Sequence, residues 1–251
     1  MISTRHAPST TPTTPTLGTP RRSLLRAALA GTAATAGVAL TAPSAGAAGR
    51  PRAERPRPTT PDAALRELAE GNHRWRTFRE QHPHETRTVR EALVSGQHPF
   101  ALVLGCIDSR VPPELAFDQG LGDLMTVRSA GQVLDEAVLG SVCYGALELD
   151  IPLILVLGHQ SCGAVKAAVE TEESGGHLPA HIQYLADEIR PVIDHSKEGA
   201  ERVDSTVSAQ VEAVRKRLAA EPDLAARVDK GTLAIVGARY ELTTQLVHRI
   251  G

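Results

Sequence analysis

His98-Pro99-Phe100-Ala101-Leu102-Val103-Leu104-Gly105-Cys106-Ile107-Asp108-Ser109-Arg110 decides the reading of this 251-residue chain. Phe100–Gly105 is a near-continuous apolar run without polar alternation, the pattern of a strand buried on both faces. The run ends on a thiol, a carboxylate and a guanidinium spaced two residues apart. In extended backbone such residues point the same way. Cys106, Asp108 and Arg110 therefore share one side of the strand end.

Outward from this segment, strand and helix patterns alternate. Leu124–Val127 and Pro152–Leu157 read as further strands, Thr232–Val236 as a fourth, and Leu246–Ile250 as a short fifth at the edge. Between them, Asp135–Leu149 has helical apolar spacing and an acidic start, which suits a helix N-terminus. Cys162–Glu170 is helical up to the break at Gly175-Gly176, and amphipathic helices are expected over Pro179–His195 and Val203–Ala220. Ahead of the opening strand, Thr60-Pro61 is a helix start for a segment carrying Leu65, Leu68 and Trp75 to about Arg79. The fold class is α/β: a central, mainly parallel sheet of four strands plus a short edge strand, flanked by helices. In such sheets chemistry gathers beyond the carboxyl ends of the strands. Cys106 closes the first strand and His159 closes the third, so both are expected at one crevice.

The N-terminal part has a different character. Arg21-Arg22 precedes an Ala/Gly/Thr/Leu-rich run to Leu40 and then Ala45-Gly46-Ala47, the order of a secretory signal with paired arginines of twin-arginine type. The run from Ala27 to Leu40 is 14 residues, short of the roughly 20 that span a bilayer. Residues 1–47 are thus expected to be an export signal, the chain's only association with a membrane, and the mature protein to lie beyond the bacterial cytoplasmic membrane. Residues 48–60 read as a Pro/Arg-rich linker and 61–251 as the catalytic domain. Without residues 1–47 the chain loses four arginines and no acid, leaving 23 Lys+Arg against 29 Asp+Glu, a net charge of −6. That balance argues against nucleic acid as a partner.

Cys106, Cys143 and Cys162 are the three cysteines. Export invites a disulfide reading, but an odd count leaves one thiol over. Metal ligation competes with it. His159-Gln160-Ser161-Cys162 sits at a strand-to-helix turn, where a helix N-terminus favours the thiolate of Cys162. Two thiolates and an imidazole, with Asp108 as a candidate fourth ligand, suit tetrahedral zinc. Asp108 and Arg110 are hard to explain as core, since buried charges cost several kcal/mol unless paired. Cys143, in a helix beside Val142, reads as a core thiol.

C-I-D-S-R, followed about 50 residues later by G-H-Q-S-C-G-A-V, resembles the β-class carbonic anhydrases. The likeness spans about residues 62–250 and includes L-A-E-G-N-H-R-W, F-D-Q-G-L-G-D-L, V-R-S-A-G and V-G-A-R-Y. It implies a zinc enzyme, one ion per subunit, that interconverts carbon dioxide and bicarbonate and is built from dimers or higher homo-oligomers. By motif, Cys106, His159 and Cys162 would be permanent zinc ligands. Asp108 would either orient the attacking hydroxide or close the site as a fourth ligand, and Arg110 would keep it ionised and turned away. Gln97 and Gly163 would bind substrate, Gln97 reaching it from the neighbouring subunit. Where one subgroup of the family has a Trp before the first motif, this chain has Leu102-Val103-Leu104. The alternatives are a carbonyl sulfide or carbon disulfide hydrolase on the same scaffold, and a non-catalytic zinc or bicarbonate-binding protein closed by Asp108.

Overall fold

The computed structural model describes residues 56–250. The expected export signal and residues 48–55 of the expected linker lie outside them. In chain order the elements are α1 (Pro61–Arg76), α2 (Arg87–Ala92), β1 (Ala101–Cys106), α3 (Pro113–Ala116), β2 (Leu124–Ser129), α4 (Glu136–Glu148), β3 (Leu153–His159), α5 (Gly163–Ser174), α6 (Ala180–Ile189), α7 (Gly199–Ala219), α8 (Pro222–Asp229), β4 (Ala234–Tyr240) and β5 (Val247–Ile250). None of these helices is long and apolar enough to cross a membrane.

The sheet runs β2-β1-β3-β4-β5, parallel throughout except for β5, which pairs antiparallel with β4. Every residue of β1 and β3 is buried. The two-residue period of a strand divides them between two cores. Val103, Leu155 and Leu157 face one way with Leu68 of α1 and Phe117 after α3. Leu102, Leu104, Ile154 and Val156 face the other way with Val142 of α4 and Val211 and Leu218 of α7. Each such side chain contributes about 1.5–3 kcal/mol on burial, which is why these strands carry no polar face. After β1 the chain steps outward to β2, and then crosses back so that β3 lies on β1's other side. The carboxyl ends of β1 and β3 therefore bound the point where strand order reverses, the place where an open α/β sheet leaves a crevice.

Local chemistry sets the element ends. Thr60 caps α1, its side-chain oxygen accepting from the Ala63 N–H at 3.3 Å, with Pro61 at the first position. The helix stops at Arg76 rather than Arg79, because Phe78 takes a left-handed conformation (φ 54°) and Arg79 N–H returns to Arg74 O. Trp75 is fixed to the end of β4 by its indole N–H, 3.1 Å from the Tyr240 hydroxyl. The single helix expected over Pro179–His195 is α6 followed by a 3-10 turn at Arg190–Val192. Pro191 ends it, having no N–H to donate and a ring that clashes with the preceding turn. Short α2 and α3 were not expected, nor was α8, although Pro222-Asp223 is a helix-start signal. β4 runs four residues past the expected end at Val236, because Arg239 is accommodated within the strand by pairing with Asp204 and Glu241.

The expected linker is part of the folded unit at its end. Arg57 donates from Nε to Oδ1 of Asp123 at 2.8 Å and from Nη2 to Leu121 O at 3.0 Å. Asp123 is fully buried and also takes His84 Nδ1 at 2.7 Å and the Gly120 N–H at 2.9 Å.

Candidate metal centre

Three elements bring the donors together. β1 ends on Cys106, β3 ends on His159, and Cys162 is the N-cap residue of α5. Gln160 and Ser161 make the turn between the last two, Ser161 with a positive φ of 55°. Gln160 is held on both sides, its N–H donating to Tyr240 O at 2.9 Å and its side-chain oxygen accepting from Thr243 N–H at 3.1 Å. One ligand atom from each of Cys106, His159 and Cys162 lies within 4.8 Å of the others, and all three residues are buried. Cys106 Sγ and Cys162 Sγ are 3.9 Å apart, with both thiols free.

The protonation pattern fits a cation site. His159 Nδ1 donates to Gln160 O at 2.9 Å, since a carbonyl can only accept. In the neutral ring this puts the lone pair on Nε2, which is buried and without a hydrogen-bond partner among the described residues. An orphaned buried acceptor is costly, and a metal ion is a partner that would satisfy it. The Cys162 hydrogen bond is the main influence pushing the Cys106 thiol down, with the Gly131 N–H (3.4 Å from the sulfur) assisting against burial. Cys162 is pushed up by the same contact with Cys106 and by burial, while the Val165 and Ala164 N–H groups at the start of α5 pull it down. Metal ligation takes both sulfurs as thiolates, so binding a cation there would release protons.

Gly131 is required where it stands. Its φ is +63°, and an added Cβ would lie 2.9 Å from Ile189 Cδ1. Side-chain-free backbone there lets the 129–133 turn lay its N–H on Cys106, and Ser129 closes the turn by donating to Val133 O at 2.7 Å.

Asp108 stands beside the three donors but outside their group. Arg110 occupies both of its oxygens, Nε on Oδ1 at 2.9 Å and Nη2 on Oδ2 at 2.7 Å, with the Arg110 backbone N–H on Oδ1 at 2.9 Å. The Arg110 guanidinium is the main reason the Asp108 carboxyl lies well below the usual carboxylate range. Its Oδ2 is 3.8 Å from His159 Nε2. A cavity of about 360 Å³ opens onto Cys106, Asp108 and Gly163, walled by Ala164 of α5 and by Leu178 and Ile182 at α6. Gly163 therefore lies at the site. Gln97 does not: it is exposed in the coil ahead of β1 and lines no part of that cavity. Cys143 is half-buried in α4, packed against the core that contains Leu102 and Leu104, and is not among the three grouped donors.

Two features of the site were not read from sequence. The apolar wall at α6 is one; its amphipathic pattern showed a buried face but not what that face covers. Arg128 of β2 is the other, donating to Cys106 O at 2.9 Å and Asp108 O at 2.7 Å. The V-R-S-A-G string drew attention to this place without indicating those contacts.

A mainly parallel sheet with a buried Cys-His-Cys group at its switch point places the chain among α/β proteins with a candidate metal site. Residues 101–247 match the family model described as carbonic anhydrase. The chain is 43% identical over 186 residues to carbonic anhydrase 2 of Mycobacterium tuberculosis, covering 73% of this chain and 90% of that protein. It is 40% identical over 186 residues to a carbonic anhydrase of Mycolicibacterium smegmatis, at the same two coverages of 73% and 90%. Among solved structures it is similar to the β-carbonic anhydrase CcaA, with a TM-score of 0.61 and 27% identity over 74% of this chain and 95% of that one. The chain belongs to the β-class carbonic anhydrases and is an enzyme of that family.

Proposed function

We propose that this chain catalyses the reversible hydration of carbon dioxide to bicarbonate and a proton, with one zinc ion held by Cys106, His159 and Cys162. The observation that carries this reading is the ionised Asp108, gripped at both oxygens by Arg110, beside a buried donor group whose His159 Nε2 has no hydrogen-bond partner. Zinc, when bound there, would supply Lewis acidity that makes hydroxide available at neutral pH.

The chain's own residues would do the rest. Asp108, kept ionised by Arg110, accepts a hydrogen bond from the attacking hydroxide at Oδ2, its oxygen nearest His159, and so aims a lone pair at carbon. Each carboxylate oxygen has two acceptor sites, so Oδ2 can serve Arg110 and the nucleophile together. The apolar wall at Leu178 and Ile182 admits carbon dioxide and offers bicarbonate little to hold it. Because Arg110 occupies both Asp108 oxygens, the arrangement favours the catalytic reading over a site closed by Asp108.

Gln97 completes the site from a second copy in a homo-oligomer, donating to a substrate oxygen as charge develops there. Its exposure outside its own chain's cavity supports this. Residues 1–47 direct the enzyme out of the cytoplasm. Stopped-flow carbon dioxide hydration on protein of measured zinc content tests the reading, with carbonyl sulfide and carbon disulfide assayed in parallel. Full zinc occupancy with no hydration above buffer would refute it.

A further inference from the structure

After Cys106 the chain leaves β1, and Ile107 turns out to solvent, 59% exposed. The carbonyls on either side of it, Cys106 O and Asp108 O, are the ones that face β2. Arg128 lies opposite Gly105 in the parallel register, one step before the last β1–β2 pair. Its guanidinium meets both carbonyls, Nε on Cys106 O at 2.9 Å and Nη2 on Asp108 O at 2.7 Å. One side chain thus continues the β1–β2 connection past the point where strand pairing stops.

The other contacts of Asp108 are short-range: its own N–H lies against the Cys106 sulfur two residues back, at the very end of β1. Arg110 is two residues further along the same loop, and so is carried with Asp108 in any shift of that loop. The Val111 N–H, 3.1 Å from Asp108 O, is local in the same sense. Among the described residues, Arg110 Nη2 reaches outside the loop only to Ser161 O, at a long 3.5 Å. Arg110 fixes how the carboxylate is turned, whereas Arg128, rooted on a strand, fixes where the residue stands.

We propose that Arg128 is a positioning residue: by holding the Cys106 and Asp108 carbonyls it sets the Asp108 carboxylate against the Cys106–His159–Cys162 group. This rests on the metal-site reading of that group. It predicts that Arg128 acts through Asp108, so the two residues are not independent.

The test is a double-mutant cycle on cobalt-loaded protein with Arg128→Gln, Asp108→Asn and the pair combined. Its readouts are cobalt content, the cobalt(II) absorption spectrum, and the hydration kcat and KM. Arg128→Gln is expected to keep a full complement of cobalt, alter the spectrum, and lower kcat about 10–100-fold, the usual cost of losing a group that orients a metal site. KM is expected to stay within about twofold, since Arg128 lines no part of the cavity at the site. In the Asp108→Asn background Arg128→Gln should change neither spectrum nor kcat further. Arg128→Lys keeps a cation but cannot bridge both carbonyls, and should fall between; it stands in for Gln if that variant fails to fold. Multiplying losses, loss of cobalt from the Arg128 variants, or an unchanged spectrum would each overturn the proposal. Absence of hydration in the unsubstituted protein would overturn the proposed function alone, with the spectral cycle still deciding the role of Arg128.

Discussion

Arg110 holds Asp108 at both carboxylate oxygens, at 2.9 and 2.7 Å, while the nearer oxygen stands 3.8 Å from His159 Nε2. The carboxylate is thus within a small movement of the donor group and is kept from it by a single side chain. Its state as orienter or ligand depends on that grip.

Arg110→Ala should let Asp108 turn onto the metal. Carbon dioxide hydration is expected to be abolished while zinc stays at wild-type content, as read by metal analysis beside the stopped-flow rate. Loss of zinc, or a rate near that of the unsubstituted protein, would contradict this.

The same pair has a signature in stability against pH. The folded-state pKa of Asp108 is depressed, chiefly by Arg110. Its stabilisation is therefore present above the unfolded value of about 3.9 and is lost as pH falls toward the lower folded value. Melting temperatures of the unsubstituted protein and Arg110→Ala are expected to differ at pH 6 and to converge as pH drops below about 4. A gap that widens on acidification would reverse the sign. Exposure of the Arg110 side chain, at 53%, keeps the gap small.

Metal binding should hide two of three thiols. In zinc-loaded protein a thiol reagent is expected to titrate Cys143 alone, with Cys106 and Cys162 becoming reactive after chelation. A Cys106–Cys162 disulfide in the native protein would exclude the metal reading, and three reactive thiols before chelation would mean the sulfurs are not ligands.

Arg57→Ala should destabilise the fold by about 2 kcal/mol, the scale of a hydrogen bond to a charged group. It leaves the buried Asp123 with only His84 and the Gly120 N–H. Urea unfolding would measure it. Hydration rate should be unaffected, since Arg57 does not line the cavity.

Gly71→Ala inverts the usual helix expectation. Alanine ordinarily gains about 1 kcal/mol over glycine inside a helix. At Gly71 of α1 the new Cβ would sit 1.7 Å from Phe117 O, a backbone atom that cannot give way. A net loss of about 3 kcal/mol is expected as α1 is forced off α3. A variant as stable as the parent would show that α1 packs less closely than this.

Much of the fold was legible because buried parallel strands leave a strong local signal. Phe100–Gly105 and Pro152–Leu157 are apolar at every position, since both faces are covered. β4 was read short for the converse reason: Arg239 looks like a strand end until Asp204 and Glu241 are folded against it. α6 was read long because its apolar pattern continues past Pro191. Arg57 passed for linker because nothing local distinguishes an arginine in solvent from one reaching a buried carboxylate at position 123.

The sequence by itself determined the donor set and its order, since residue type and two-residue spacing are local facts. Cys106, Asp108 and Arg110 at one strand end, and His159 and Cys162 across one turn, can be read along the chain. Only the tertiary structure decided which atoms face each other. To the crevice and the Asp108–Arg110 pair already expected from sequence, it added a His159 Nε2 without a hydrogen-bond partner and an Arg128 under the loop carrying Cys106 and Asp108. These depend on packing between segments distant in the chain, which no local pattern of residue types specifies.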